Sequence, residues 1–193
     1  MTEITNDLVV AAQQGDDAAS RTIVERLQRP VIATIFRFLG PGWRREIEDL
    51  AQEVFLKVFR ALDKFDPARA KFTTWVYTFV RNHCFDVLKR RRLPVRSMDQ
   101  TPEGEPARDF ADRRELQPTQ DAENQELGRR ISEALASLGE DQRMVFVLRE
   151  YENLDYREIA TITGVNEGTV KSRLFRAKES LRQQLAPYLG AGA

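Results

Sequence analysis

Residues 155–185 constrain the fold more than any other stretch of this chain. Asp155-Tyr156-Arg157-Glu158 has the spacing of a capping box and opens a short run carrying Ile159, Ala160 and Ile162. Gly164 supplies the left-handed backbone that ends a helix. Asn166 can cap the next one by accepting a hydrogen bond from the amide of Gly168 or Thr169. From Asn166 to Leu185 the residues Val170, Leu174, Ala177, Leu181 and Leu185 recur on one helical face, while Lys171, Ser172, Phe175 and Arg176 point the other way. Short helix, glycine turn and long basic helix make a helix-turn-helix. The apolar stripe by itself says only that the helix packs. What it leaves outside is more specific: cations, a hydroxyl and a phenyl are the groups that contact guanine, phosphate and the thymine methyl in a major groove. The competing reading is a plain helical hairpin with a solvated polar face.

The same 3–4 spacing recurs along the chain and no stretch alternates as a strand does, so the fold class read here is all-α. Helices are expected over about residues 6–13, 16–38, 46–62 and 71–92. In the C-terminal part, Ile131, Leu135 and Leu138, then Met144, Val147, Leu148 and Tyr151, give two more. Pro94, Pro102, Pro106 and Pro118 fall in a stretch rich in acids and poor in apolar residues. Residues 96–122 therefore read as a flexible acidic linker between a domain over 1–95 and a second over 123–193. The formal net charge of zero conceals opposed segments, for residues 63–96 carry a net +6 and residues 97–127 a net −6. A basic segment beside an acidic one suggests a polyanion-binding surface next to a tether that can shield it.

No apolar run approaches the roughly 20 residues of a membrane span, and the N-terminus shows no signal-peptide pattern, so no membrane insertion and a cytoplasmic location are expected. Cys84 and His83 are the only residues of their kinds, which excludes an intramolecular disulfide and a cysteine-based metal site. Both fall near the apolar side of their helix and read as a buried thiol and a packed imidazole rather than a catalytic pair.

Along residues 72–92, Phe72, Val76, Phe79, Val80, His83, Cys84 and Val87 share a face that should form core. The opposite face shows Trp75, Tyr77, Thr78, Arg81, Asn82, Phe85 and Lys89 and runs into Lys89-Arg90-Arg91-Arg92. Rings interleaved with amides and cations suit single-stranded nucleic acid, where an unpaired base stacks while cations track phosphates. Packing of Trp75 and Tyr77 on a neighbouring helix is the competing reading. The preceding loop, starting at Phe65, could add a wall to a pocket for an extruded base. On the helix before it, Leu50, Val54, Val58 and Leu62 form the core stripe, and Glu46, Asp49, Gln52 and Glu53 leave an acidic side that fits a basic protein surface better than nucleic acid.

Taken together these segments resemble the sigma factors of bacterial RNA polymerase, in the extracytoplasmic-function class that keeps only the second and fourth conserved regions. Asp49-Leu50-Ala51-Gln52-Glu53-Val54-Phe55 looks like the polymerase-binding helix, and Phe72-Thr73-Thr74-Trp75-Val76-Tyr77 with Arg81-Asn82 looks like the promoter-melting helix. Tyr156-Arg157-Glu158-Ile159-Ala160 and the run from Gly168 to Ala177 match the fourth region. The resemblance implies that Asp49, Gln52 and Glu53 dock on the clamp coiled coil of the polymerase's largest subunit. It implies that Phe65, Trp75, Tyr77, Arg81, Asn82, Lys89 and Arg90 serve the minus-ten element as an opened strand. It further implies that Lys171, Ser172, Phe175 and Arg176 read the minus-thirty-five element, with Arg149, Thr169, Arg173 and Lys178 on phosphates. Promoter DNA and core RNA polymerase are the implied partners, an anti-sigma factor is a further candidate, and no catalytic residue, cofactor or metal is implied. One rival is a helix-turn-helix regulator acting on duplex operators without polymerase. The other is a nucleic-acid-processing enzyme with a carboxylate metal site at Asp49 and Glu53, for which no further ligands are evident.

Overall fold

The structure, a computed structural model, describes residues 4–92 and 118–189 of the 193-residue chain. Among the described residues every regular element is helical. The first half holds α1 (Asn6–Gln13), α2 (Asp17–Leu39), α3 (Ile47–Arg60) and α4 (Phe72–Arg92), with short 3-10 turns at Pro41–Trp43 and Leu62–Lys64. The second holds α5 (Pro118–Ser137), α6 (Glu140–Glu150), α7 (Tyr156–Thr163) and α8 (Glu167–Leu189).

Local chemistry accounts for several boundaries. The Asp16 carboxylate caps α2 by accepting from the amides of Ala18 at 2.8 Å and Ala19 at 3.1 Å, and Gly40, at φ 88°, ends it. Between these caps Ile23, Leu27, Val31 and Ile35 recur every fourth residue and are buried with Phe38. Removing each such side chain from water contributes about 1.5–3 kcal/mol. The capping box at α7 is complete: the Glu158 amide donates to Asp155 at 2.8 Å and the Asp155 amide to Glu158 at 2.9 Å. Gly164 adopts φ 69°, and Asn166 accepts from the Thr169 amide at 2.8 Å. α7 thus begins and ends, and α8 begins, on the chemistry the sequence shows.

One expectation meets a difference. α5 begins at Pro118, inside the stretch read as linker (96–122), because proline at a first helical position loses no needed hydrogen bond and a long run of good helix formers follows. The rest of that stretch, up to residue 117, lies outside the described residues. The relative placement of the halves, which the sequence does not give, is close: α2 packs on α5 and α6, and α4 packs on α7. One apolar cluster runs through both, including Ile35, Phe38, Val76 and Val80 with Met144, Leu148, Leu154 and Ile159. A smaller cluster of Ala134, Leu135, Leu138, Ala177 and Leu181 holds α5 to α8. Apolar faces on α2 and α4 are closed by α6 and α7.

Candidate nucleic-acid interface

α8 carries its two faces as the spacing predicts. Val170, Leu174, Ala177 and Leu181 are buried and Leu185 is half-buried, while Lys171, Ser172, Phe175 and Arg176 stand in solvent. Phe175 is 71% exposed. Ser172 Oγ donates to the Thr169 carbonyl at 2.9 Å, which leaves its oxygen free to accept. Lys171 Nζ lies 5.5 Å from the centroid of the Tyr156 ring, so the lysine leans along α7.

The four residues expected on phosphates differ. Arg173 and Lys178 are held by Asp141 at 2.7 Å and Glu150 at 2.8 Å, contacts that a phosphate could displace at a partly exposed surface. Thr169 Oγ1 donates to Asn166 at 3.0 Å and belongs to the cap. Arg149 turns inward: Nη1 donates to the Leu154 carbonyl at 2.8 Å and the guanidinium lies 5.1 Å from the Tyr156 ring centroid. It fixes the α6–α7 turn instead of facing outward, because the capping box leaves the Leu154 carbonyl without a helical partner.

In the first half the rings form a cluster. Phe65 meets Phe72 edge-on at 5.1 Å and Trp75 at 5.4 Å, and Trp75 meets Phe79 at 4.8 Å. Phe65 is therefore buried and serves as a wall, whereas Trp75 keeps part of its surface in solvent. Gln13 pins this loop by donating to the carbonyls of Leu62 at 2.9 Å and Phe65 at 3.3 Å. Arg81 lies 4.4 Å from the Phe85 ring centroid and donates to Asn82 at 3.0 Å, and Asn82, Lys89 and Arg90 are exposed. Phe79, expected in the core, is only half-buried beside Trp75.

Tyr77 is the clearest departure. It was expected on the open face and is 4% exposed, its hydroxyl donating in a short hydrogen bond to Glu152 of the second half. Burial first, and then the Glu152 charge, push its phenol pKa far up, so it stays a neutral donor. The tyrosine faces out of its own domain and is covered by the other one.

On α3 the side chains of Asp49, Gln52 and Glu53 are exposed, as expected. They share their surface with Leu56, 56% exposed, which the periodicity argument overlooked. The signal was there: Leu56 is out of phase with Leu50, Val54, Val58 and Leu62. His83 and Cys84 are buried. The imidazole is not merely packed, for Nδ1 sits 2.6 Å from Lys57 Nζ and Nε2 3.5 Å from Glu53 Oε2. Burial and the Lys57 charge hold its pKa below the usual histidine value, and burial pushes the Cys84 thiol up.

Also missed were the groups that join the halves. Arg143 donates to the carbonyls of Phe38 at 2.7 Å and Leu138 at 2.9 Å, Glu152 is buried against α2 and α4, and Glu158 meets Thr74 and Lys71. Apart from the Arg143–Leu138 bond, these contacts join residues far apart in sequence.

Comparison with known proteins agrees with this geometry. The family of Sigma-70 region 2 matches residues 23–93, and Sigma-70, region 4 matches residues 128–181. The chain is 35% identical over 188 residues to the ECF RNA polymerase sigma-E factor of Escherichia coli (strain K12), covering 94% of each protein. It is 34% identical over 195 residues to the RNA polymerase sigma-H factor of Pseudomonas aeruginosa, covering 97% of this chain and 96% of that one. Two solved structures share the fold at a TM-score of 0.67 and 23% identity. One is CnrH in complex with the cytosolic domain of CnrY, with 96% of this chain and 97% of that chain covered. The other is the sigma factor RpoE in complex with the anti-sigma factor NepR from Bartonella quintana, with 86% and 96% covered. With both regions present in order on one helical scaffold, the chain belongs to the extracytoplasmic-function (ECF) family of RNA polymerase sigma factors.

Proposed function

We propose that this sigma factor, which directs promoter-specific transcription initiation, divides the work among three surfaces. Asp49, Gln52 and Glu53, with Leu56 as an apolar anchor, dock on a basic surface of core RNA polymerase, the clamp coiled coil of its largest subunit. Trp75, Arg81, Asn82, Lys89 and Arg90 receive the opened minus-ten strand, with Phe65 behind Trp75 and Tyr77 joining once uncovered. Lys171, Ser172, Phe175 and Arg176 read the minus-thirty-five duplex, and Arg173, Lys178 and Thr169 meet its phosphates, while Arg149 acts through the α6–α7 turn. The first surface belongs to a domain over residues 1–95 and the last to one over 123–193. The observation that carries this reading is the exposed quartet on α8 behind a complete capping box and glycine turn. Two weak readers on one chain gain affinity by tethering only when their spacing matches the promoter elements, and polymerase sets that spacing.

A cytoplasmic location and an anti-sigma partner belong to the same proposal. They are supported by relatives of known function and by solved sigma factors held in such complexes. No helix among the described residues is long and apolar enough to cross a membrane. The test is in vitro transcription with core polymerase on a promoter library. Added protein should produce initiation at a defined promoter class. No start site gained over core enzyme alone overturns the proposal.

A further inference from the structure

Around Glu152 the contact between the halves is polar, and there the donors come from the first half. Glu152, in the turn after α6, is 7% exposed. One carboxylate oxygen accepts from Thr34 Oγ1 at 2.7 Å and lies 3.7 Å from Arg37 Nη1, and the other accepts from the Tyr77 hydroxyl. All three partners belong to the first half. Asn153 beside it takes φ 54°, a left-handed backbone unusual outside glycine, and this local turn accompanies the inward placement of Glu152. Glu158 repeats the arrangement nearer the start of α4, where Thr74 Oγ1 donates to it at 3.2 Å and Lys71 Nζ lies 3.0 Å away.

A carboxylate removed from water costs several kcal/mol unless well-placed partners offset it, so packing alone does not explain Glu152. The arrangement around it is that of an anion site: a guanidinium and two hydroxyls converge on one pair of oxygens. Lys71, which pairs with Glu158, stands one helical turn before Trp75 and so brings that site up to the ring cluster of α4. An opened strand laid along Trp75 would bring phosphodiester oxygens of the same charge and hydrogen-bonding character to these donors.

We propose that Thr34, Arg37 and Tyr77, extended by Lys71 and Thr74, form a binding site for the phosphodiester backbone of single-stranded DNA, and that Glu152 and Glu158 occupy it as internal substitutes for phosphate. The second half is then a competitor for the strand that the first half is built to hold. The free chain closes on itself, and strand capture requires it to open. This rests on the reading of α4 as the strand-capturing helix, and the experiment separates the two.

The full-length protein carries a fluorophore pair, one on each half, and is titrated with a labelled single-stranded oligonucleotide followed by anisotropy. Glu152→Gln with Glu158→Gln should lengthen the interdomain distance and tighten oligonucleotide binding about tenfold, with a steeper salt dependence as more phosphates are engaged. In that background Arg37→Gln should reverse most of the gain. Glu152→Ala serves as the second route to opening, and circular dichroism confirms that each variant keeps its helices. No change in distance, or opening without tighter binding, overturns the competition. If Trp75→Ala abolishes binding while Arg37→Gln leaves it intact, the anion site is wrong and the reading of α4 stands. The converse result leaves the anion site and removes the role of α4. If polyglutamate displaces the oligonucleotide at equal charge concentration, the site prefers acidic protein and the nucleic-acid assignment falls.

Discussion

Arg143 offers a severe test of how the halves are held. Its residue is 8% exposed, and its guanidinium donates to the carbonyls of Phe38 on α2 and of Ala136 and Leu138 at the end of α5. The Phe38 and Leu138 bonds are buried, whereas Ala136 lies on an exposed side of α5 where water can replace the arginine. Arg143→Ala thus strands two buried acceptors, each bond to a charged donor being worth about 1.5–3 kcal/mol. Part of that is returned, because burial already disfavours the cation and lowers its pKa. Net destabilisation should be about 3–5 kcal/mol, the range seen when one side of a buried charged network is removed. Arg143→Lys should fall about halfway, since an ammonium lacks the planar fork that reaches separate carbonyls. Urea denaturation followed by circular dichroism measures both. A loss under about 1 kcal/mol for Arg143→Ala would refute the view that this arginine ties α2 to the second half, because surface substitutions fall in that range.

Three further outcomes are expected. Arg176→Ala should relax discrimination at one base pair of the minus-thirty-five element by about 1–3 kcal/mol in promoter-variant transcription, and uniform weakening across sequences would make Arg176 a phosphate contact instead. Leu56→Ser should weaken core polymerase binding tenfold or more without lowering the melting temperature, since docking a leucine that is already exposed contributes about 1.5–3 kcal/mol to the complex and nothing to the fold. For His83, Lys57 and Arg90 oppose the protonated ring, Glu53 and Asp86 favour it, and desolvation dominates, so the folded-state pKa lies below the unfolded one. Stability should therefore be complete above about pH 6.5 and decline as pH falls below it. Because His83 is the only histidine, His83→Gln should flatten that limb of a pH–denaturation profile.

The parts of this molecule legible in the sequence are those governed by neighbours three or four residues away. The capping box at Asp155 and Glu158, the turn at Gly164, the Asn166 cap and the buried stripe of α8 all obey local rules. The acidic face of α3 was visible for the same reason. Tyr77 was placed by the same local geometry, and Arg149 and Arg173 by the family resemblance, yet each is engaged by a partner that periodicity cannot supply. Tyr77 meets an acid 75 positions away and Arg173 one 32 positions away. Glu152 reads in sequence as one more solvated acid in a turn. Only the approach of α2 and α4 makes it the centre of a buried network, and helical spacing within one half carries no information about the other. The linker was misjudged at its end for a related reason: acidic composition was weighed above the helix-forming run that starts at Pro118.

The distribution of burial implies an order of events. In the closed arrangement the α3 surface of Asp49, Gln52, Glu53 and Leu56 is open to solvent, and so is the α8 quartet proposed to read bases. Of the residues proposed to meet the promoter, Tyr77 is covered by the second half, through Glu152. On the proposed roles, polymerase can dock on α3 before the halves separate, and duplex can be read by α8 without disturbing α4. On the same proposal, strand capture alone must wait for Glu152 to leave. A polar lock suits that step, because a carboxylate released into water regains its solvation, whereas a purely apolar seam of the same area would expose its whole surface with no such return. Replacing Glu152, Thr34 and Tyr77 with well-packed apolar side chains should then raise stability while slowing open-complex formation and leaving core binding unchanged. Stopped-flow fluorescence of promoter melting measures that rate, and an unchanged rate in a more stable variant would show that closure lies off the route to initiation.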